Sequence, residues 1–332
     1  MIKMARPGLF SILFISTLLA FLGSVVVGSS YVGGRELLTV LSGTADQTTR
    51  LILLEIRLPR ALLGLMIGMT LGLGGAVLQG FLRNPLAEPG LIGVTSAASL
   101  GAVLTIYSGL SALFALALPI GGITGALLAV LLIQLLAGNN SSTLRLILAG
   151  VAVTSFASAL TSLVLNLASN PFIALEIMFW LMGSLADRSF EHVWLSAPFM
   201  LLGWCLLLLQ GKALDALTLG EEAAQSLGFN LNHIRTYIVI GIALSVGAAT
   251  AVAGAIGFIG LVVPHLLRRW VAHKPSSLLL ASGLGGACLT LLADIAVRIL
   301  STGTELKLGV VTALIGAPFF LLLIMKTQKE LQ

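Results

Sequence analysis

The sequence predicts an all-α polytopic membrane protein of about ten transmembrane helices, and three observations carry that expectation. Of the 332 residues, 58% are hydrophobic and only 9% are charged, with a mean hydropathy of +1.07. A soluble domain of this size needs far more charge to cover its surface, so lipid must be the solvent for most of the chain. Apolar runs of about 20 residues, each enough to cross the hydrocarbon core, fit roughly ten times into this length with short connectors. The 37 glycines sit inside those runs, as in membrane helices whose backbones pack closely through small residues. No polar stretch is long enough to fold by itself, so residues 1–332 read as one membrane domain. The net charge of +5 is explained by a positive-inside bias and does not call for nucleic acid.

Apolar runs and their breakers place the spans in order. The first covers residues 9–31 after Lys3 and Arg6; it is longer than a signal-peptide core and lacks a small-residue cleavage site. The second starts at Pro59, a favoured first-turn residue, and ends near Phe81. Residues 91–107, 113–136 and 144–167 follow, and 171–185, with Trp180, reads as a short interfacial helix. Residues 193–209 and 234–256 come next, then a short piece, 257–270, interrupted by Pro264. Residues 278–300 and 308–325 close the series. Ten spans put both termini on one side. With that side cytosolic, eleven lysines and arginines lie inside against seven outside, the expected sense of the bias.

Two connectors stand out. Residues 211–233 form a polar cytosolic loop with Asp215, Glu221 and Glu222. Residues 82–90, reading LRNPLAEPG, form a rigid turn because both prolines fix the backbone. Gly72, Ala76, Val77 and Pro89 recur 175 residues later as Gly247, Ala251, Val252 and Pro264. That offset moves five spans along, so it predicts a possible inverted internal repeat.

The chain carries no G-x-x-x-x-G-K-[ST] phosphate loop and should not hydrolyse ATP itself. Ion-coupled carriers place carboxylates at mid-membrane, whereas nearly all thirteen acids here fall in loops or at span ends. Asp294 is the exception, one turn before Arg298, where it reads as half of a local i,i+4 ion pair near the outer surface or as a support that holds Arg298 for docking. Cys205, Cys288 and the four histidines show no ligand spacing, so no metal site or cofactor is expected. Nothing suggests an enzyme.

Four blocks carry a family resemblance. They are Arg57-Leu58-Pro59-Arg60; Gly80-Phe81-Leu82-Arg83-Asn84-Pro85-Leu86-Ala87-Glu88-Pro89; Gly257-Phe258-Ile259-Gly260-Leu261-Val262-Val263-Pro264-His265; and the run from Gly309 to Phe320. In this order and spacing they resemble the FecCD-type permeases of iron-siderophore, haem and cobalamin ABC importers. The resemblance implies a type II importer subunit of ten spans in a bacterial inner membrane, with both termini cytoplasmic. It implies a homodimer, or a pairing with a paralogue, around a central path that works by alternating access. It also implies two cytosolic ABC ATPase subunits and a periplasmic or lipid-anchored substrate-binding protein.

Specific residues follow from the same resemblance. Leu219, Gly220, Glu221, Glu222, Ala223, Ala224, Leu227 and Gly228 resemble the segment that such permeases dock into the ATPase, with Ala223, Ala224 and Leu227 able to pack and Gly228 ending the helix. The I-x-L-P that continues this pattern elsewhere is absent. Arg57, Arg60 and Arg298 match arginines that meet acids on the binding protein, for which a planar guanidinium is suited; otherwise they snorkel to headgroups. Asn84, Leu86, Ser142 and Thr143 match a cytosolic gate, while Ser141, Ser142 or Thr143 would equally serve as helix N-caps. The rival reading is an ion-coupled secondary transporter with inverted repeats.

Overall fold

The computed structural model describes residues 8–28, 33–114, 116–138, 143–168, 170–301 and 306–330. Among them the helices run, in chain order, α1 (Leu9–Val26), α2 (Gly34–Leu41), α3 (Gln47–Leu51), α4 (Leu58–Phe81), α5 (Val94–Tyr107), α6 (Ala117–Ala137) and α7 (Thr143–Leu167). They continue with α8 (Pro171–Leu181), α9 (Phe190–Leu209), α10 (Gly211–Leu217), α11 (Glu221–Ser226), α12 (Leu231–Ala253), α13 (Ile259–Leu267), α14 (Pro275–Leu300) and α15 (Leu308–Glu330). Seven stretches are long and apolar enough to cross a bilayer. Among the described residues, shorter apolar helices at 94–107, 171–181 and 308–322 accompany them. Lys3, Arg6, Tyr31 and Ser142 lie outside the described residues.

The second span corrects one expectation. Pro59 does not open it: α3 and a π-helical stretch, Ile52–Arg57, run directly into α4. Leu58 N–H reaches Leu53 O, five residues back, the wide turn of a π-helix. Asp46 caps α3 by accepting the Thr49 N–H at 3.1 Å; the Thr49 hydroxyl and that N–H hold its carboxyl below the ordinary value.

The bundle has two ends. The lower end collects the tail of α4, the tail of α9, α10, α11 and the starts of α12 and α14. Here Leu214 packs on Gly80 and Asp215 bonds Ser276. The upper end collects the starts of α4 and α9 and the tails of α1, α12 and α14, where the Arg188 guanidinium donates to Val252 O and Ser184 N–H to Ala253 O at 2.8 Å. α1 starts and α15 ends on the lower side.

Small residues set the closest approaches. Gly68 and Gly72 of α4 lie on Gly286 and on the Ser282 backbone of α14, so close that a Cβ on either would overlap a carbonyl. Gly247 of α12 meets Ala126 of α6, and Gly122 of α6 meets Ala251. The two pairs are equivalent, because Gly72 and Gly247 are the residues related by the 175-residue offset. α4 runs downward and α12 upward, and each takes its antiparallel partner from the other half. That arrangement is an inverted repeat with the halves interlocked. Trp204 adds a cross-link, donating its indole N–H to Thr70 Oγ1 at 2.8 Å.

Each half contains one broken span. Residues 82–93 enter from the lower end and α5 begins at Gly93, whose φ is +79°; residues 254–258 enter from the upper end and α13 begins at Phe258, with φ +67°. The two interruptions meet: Gly260 lies against Pro89 and Gly75. Pro89 precedes its left-handed residue and Pro264 follows its own, so these prolines are not structural counterparts, although the sequence offset pairs them.

Pro264 lacks an N–H and leaves the Gly260 carbonyl without its helical donor. Gln79, buried in α4, supplies one: its Nε2 lies 3.4 Å from Gly260 O and 3.2 Å from Leu261 O. Its Oε1 accepts from Arg268 at 2.8 Å. One side chain therefore links the first turn of α13 to the arginine that follows its last turn. Gln79→Leu is expected to cost about 2–3 kcal/mol by leaving these groups without the amide. A thermal unfolding midpoint in detergent equal to wild type would show that α13 is held by other means.

Candidate functional site

The lower surface carries the predicted coupling segment. A left-handed Gly220, φ +110°, separates α10 from α11, and Gly228, φ +88°, ends α11. Gly228 N–H bonds Gln225 O at 2.9 Å and Phe229 N–H bonds Ala224 O at 3.1 Å, the paired bonds of a Schellman C-cap, where glycine costs least. Ala224 is fully buried within the subunit, whereas Leu219 and Leu227 are 71% and 62% exposed. Glu221 and Glu222 sit in the first turn, on the positive end of the helix dipole, and both are exposed. Of the residues expected to pack, Leu227 is exposed and Ala224 faces its own core. The eight predicted residues form one short knob with an apolar leucine on each side.

The upper surface gathers the predicted arginines around Asp294. Arg60 approaches that carboxylate with Nε at 3.0 Å and Nη2 at 2.8 Å. Arg298, one turn along α14, reaches it at 2.7 Å. Arg298 also donates to Ser24 O at 2.8 Å and Val27 O at 2.7 Å. Arg57 donates to Val25 O at 3.3 Å and to Val26 O. These carbonyls form the end of α1, whose last turn has no intrahelical donors. The i,i+4 pair foreseen in the sequence exists, but it is half of a junction of α1, α4 and α14. Asp294 is 1% exposed and Arg57 4%.

In the predicted gate, Asn84 Oδ1 accepts the Leu86 N–H at 2.9 Å, an Asx turn that fixes the loop. Thr143 is the first residue of α7. The loop meets α7 at Gly150, where a Cβ would run into Leu91 O and Ile92. The structure thus brings the 82–93 loop and α7 together about two turns beyond Thr143.

One candidate surface escaped the sequence reading. Ser155, Ser158, Ser162 and Asn166 of α7 are all exposed, at spacings of three or four that put them on one side of the helix. The spacing is visible in the sequence; their exposure is not.

The model of the FecCD transport family matches residues 16–326. The chain belongs to that family. This FecCD-family chain is 39% identical over 292 residues to an uncharacterized ABC transporter permease protein, YvrB, of Bacillus subtilis, covering 86% of this chain and 82% of YvrB. It is 37% identical over 313 residues to the vitamin B12 import system permease protein BtuC of Salmonella paratyphi A, covering 94% and 93%. Among solved structures, a metal-chelate type ABC transporter in an inward-facing conformation superposes with a TM-score of 0.86 at 33% identity, covering 97% of this chain and all of that one. PsaBC from Streptococcus pneumoniae superposes with a TM-score of 0.56 at 17% identity, a likeness of fold alone. The FecCD-family chain is a multi-pass permease subunit of an ABC importer. It is not itself an enzyme, and it works with ATPase and substrate-binding partners.

Proposed function

We propose that two copies of this permease enclose a path for a metal chelate or a corrinoid, with the lower face and both termini in the cytoplasm. The observation that carries this reading is the exposed hydroxyl and amide side of α7. Polar side chains at membrane depth face protein or water and not hydrocarbon. Ser155, Ser158, Ser162 and Asn166 therefore call for a water-filled path or a second subunit, and a dimer around a central path supplies both. The cargo class is supported by the vitamin B12 permease and the metal-chelate transporter among the similar proteins.

The knob at residues 219–228 takes the ATPase: Leu219 and Leu227 enter a groove on the partner while Ala224 anchors the segment to its own subunit. At the upper face Arg57, Arg60 and Arg298 attract acids of a substrate-binding protein. Asp294 holds Arg60 and Arg298 in position for that contact. Asn84, Leu86, Ser142 and Thr143 close the lower end of the path.

The test is uptake into proteoliposomes containing the permease, its ATPase and its binding protein, with a corrinoid and a ferric chelate offered separately. Uptake of one of them should require ATP and should fall to background in the L219D/L227D variant. Uptake driven by an ion gradient in the absence of the ATPase would replace this reading with a secondary transporter.

A further inference from the structure

Side chains of α14 bond both the knob-bearing segment and the arginine junction described above. At its lower end the helix begins with Pro275, and the free N–H groups of its first turn need acceptors. One comes from another element. Asp215, on α10, accepts the Ser276 N–H at 2.8 Å and the Ser276 hydroxyl at 2.7 Å. Both bonds are charge-assisted, the stronger class, and the carboxylate sits at the positive end of a 26-residue helix. Lys274 stands 3.8 Å from the same carboxylate but is largely exposed, so it adds little. Packing reinforces the joint, with Gly211 against Ser276 and Leu214 against Gly80 at the end of α4.

Three residues, Thr218 to Gly220, join α10 to α11, and Gly220 N–H bonds Leu217 O at the end of α10 at 3.1 Å. A displacement of the knob therefore reaches α14 first through Asp215. Between its ends α14 lies on α4 with the backbones at Gly68, Gly72 and Gly286 in contact, so a shift of one helix presses directly on the other. Towards the upper end, about 27 Å along the helix from Ser276 at 1.5 Å per residue, the same α14 holds Arg298 and Arg60 through Asp294.

We infer that Asp215 is a positioning residue that joins the ATPase-docking knob to the α4–α14 pair, and through Asp294 to the arginines that receive the binding protein. Occupancy of one face is thereby felt at the other, and the coupling works in both directions. This inference rests on the function proposed above.

The experiment compares binding-protein stimulation of ATP hydrolysis in the reconstituted complex for wild type, D215A, S276A and the double variant. The complexes should still assemble and hydrolyse ATP at their basal rate. Stimulation should fall about tenfold in D215A, the factor carried by one charge-assisted hydrogen bond. S276A, which keeps its backbone N–H, should fall by less, and the double variant should match D215A because the two residues form one joint. D215N, which retains an acceptor oxygen, should recover part of the loss. A role confined to stability would lower the unfolding midpoint and leave the ratio of stimulated to basal hydrolysis unchanged. Full stimulation in D215A, or losses in the two single variants that add in the double, overturns the inference. Failure of the wild-type complex to assemble, or to respond to any binding protein, would instead overturn the function on which it rests.

Discussion

Asp294→Ala is expected to cost about 3–5 kcal/mol, because it leaves guanidinium groups buried at the upper end of the bundle without their counter-charge. Arg60 and Arg298 each place a nitrogen within 3 Å of that carboxylate. With it removed, the two cations face each other in a region with little water to screen them. Asp294→Asn should cost less, since the amide oxygen still accepts one hydrogen bond. The check is the yield of folded protein in membranes together with the unfolding midpoint in detergent, across wild type, Asn and Ala. An alanine variant as stable as wild type would mean that the arginines are satisfied by the α1 carbonyls alone.

Gly75→Val is expected to be at least as damaging. A Cβ at this position would overlap the Gly260 carbonyl, carbon and Cα together. No rotamer change relieves a clash with backbone, so α4 and α13 would have to separate. Overpacking of a tight core commonly costs about 1–3 kcal/mol and more where nothing yields. Separation would also pull Gln79 from the α13 carbonyls. Gly34→Ala is the control. An added Cβ there meets nothing within 4 Å, and alanine is the better helix former by about 1 kcal/mol. Expression and thermal unfolding of both variants decide the matter. Similar behaviour of the two would show that glycine contacts do not hold the broken span in place.

Much of the fold was legible because lipid imposes a simple rule: long apolar runs become spans, and their ends fall at polar or proline-rich breaks. α4 through Phe81, α7 and α14 through Leu300 end within a residue or so of where the runs end. The region before Pro59 was not legible. Proline at a first turn usually marks a start, but here a π-helix lets the chain continue through it. The knob at residues 219–228 could be read as a unit because its glycines and acids are contiguous. The arginine junction could be read only in part. A pair four residues apart shows in a sequence, whereas Arg60 and Asp294, 234 residues apart, are joined only by the way α4 lies on α14. Gln79 escaped for a related reason: its role is to serve a carbonyl that Pro264 frees on another helix, and nothing near Gln79 in the chain signals that need.

The arginine junction also sets an order of assembly. Arg57 and Arg60 leave the ribosome long before the acid that Arg60 will hold, and the end of α1 leaves earlier still. Until α14 arrives, Arg60 lacks Asp294 and the Ser24 and Val27 carbonyls lack Arg298, so all must find water or headgroups near the membrane surface. Integration of the first two spans is therefore provisional. Only when the ninth is threaded into the bilayer can the early helices settle to their final depth, so the nascent permease commits to its shape near the end of translation.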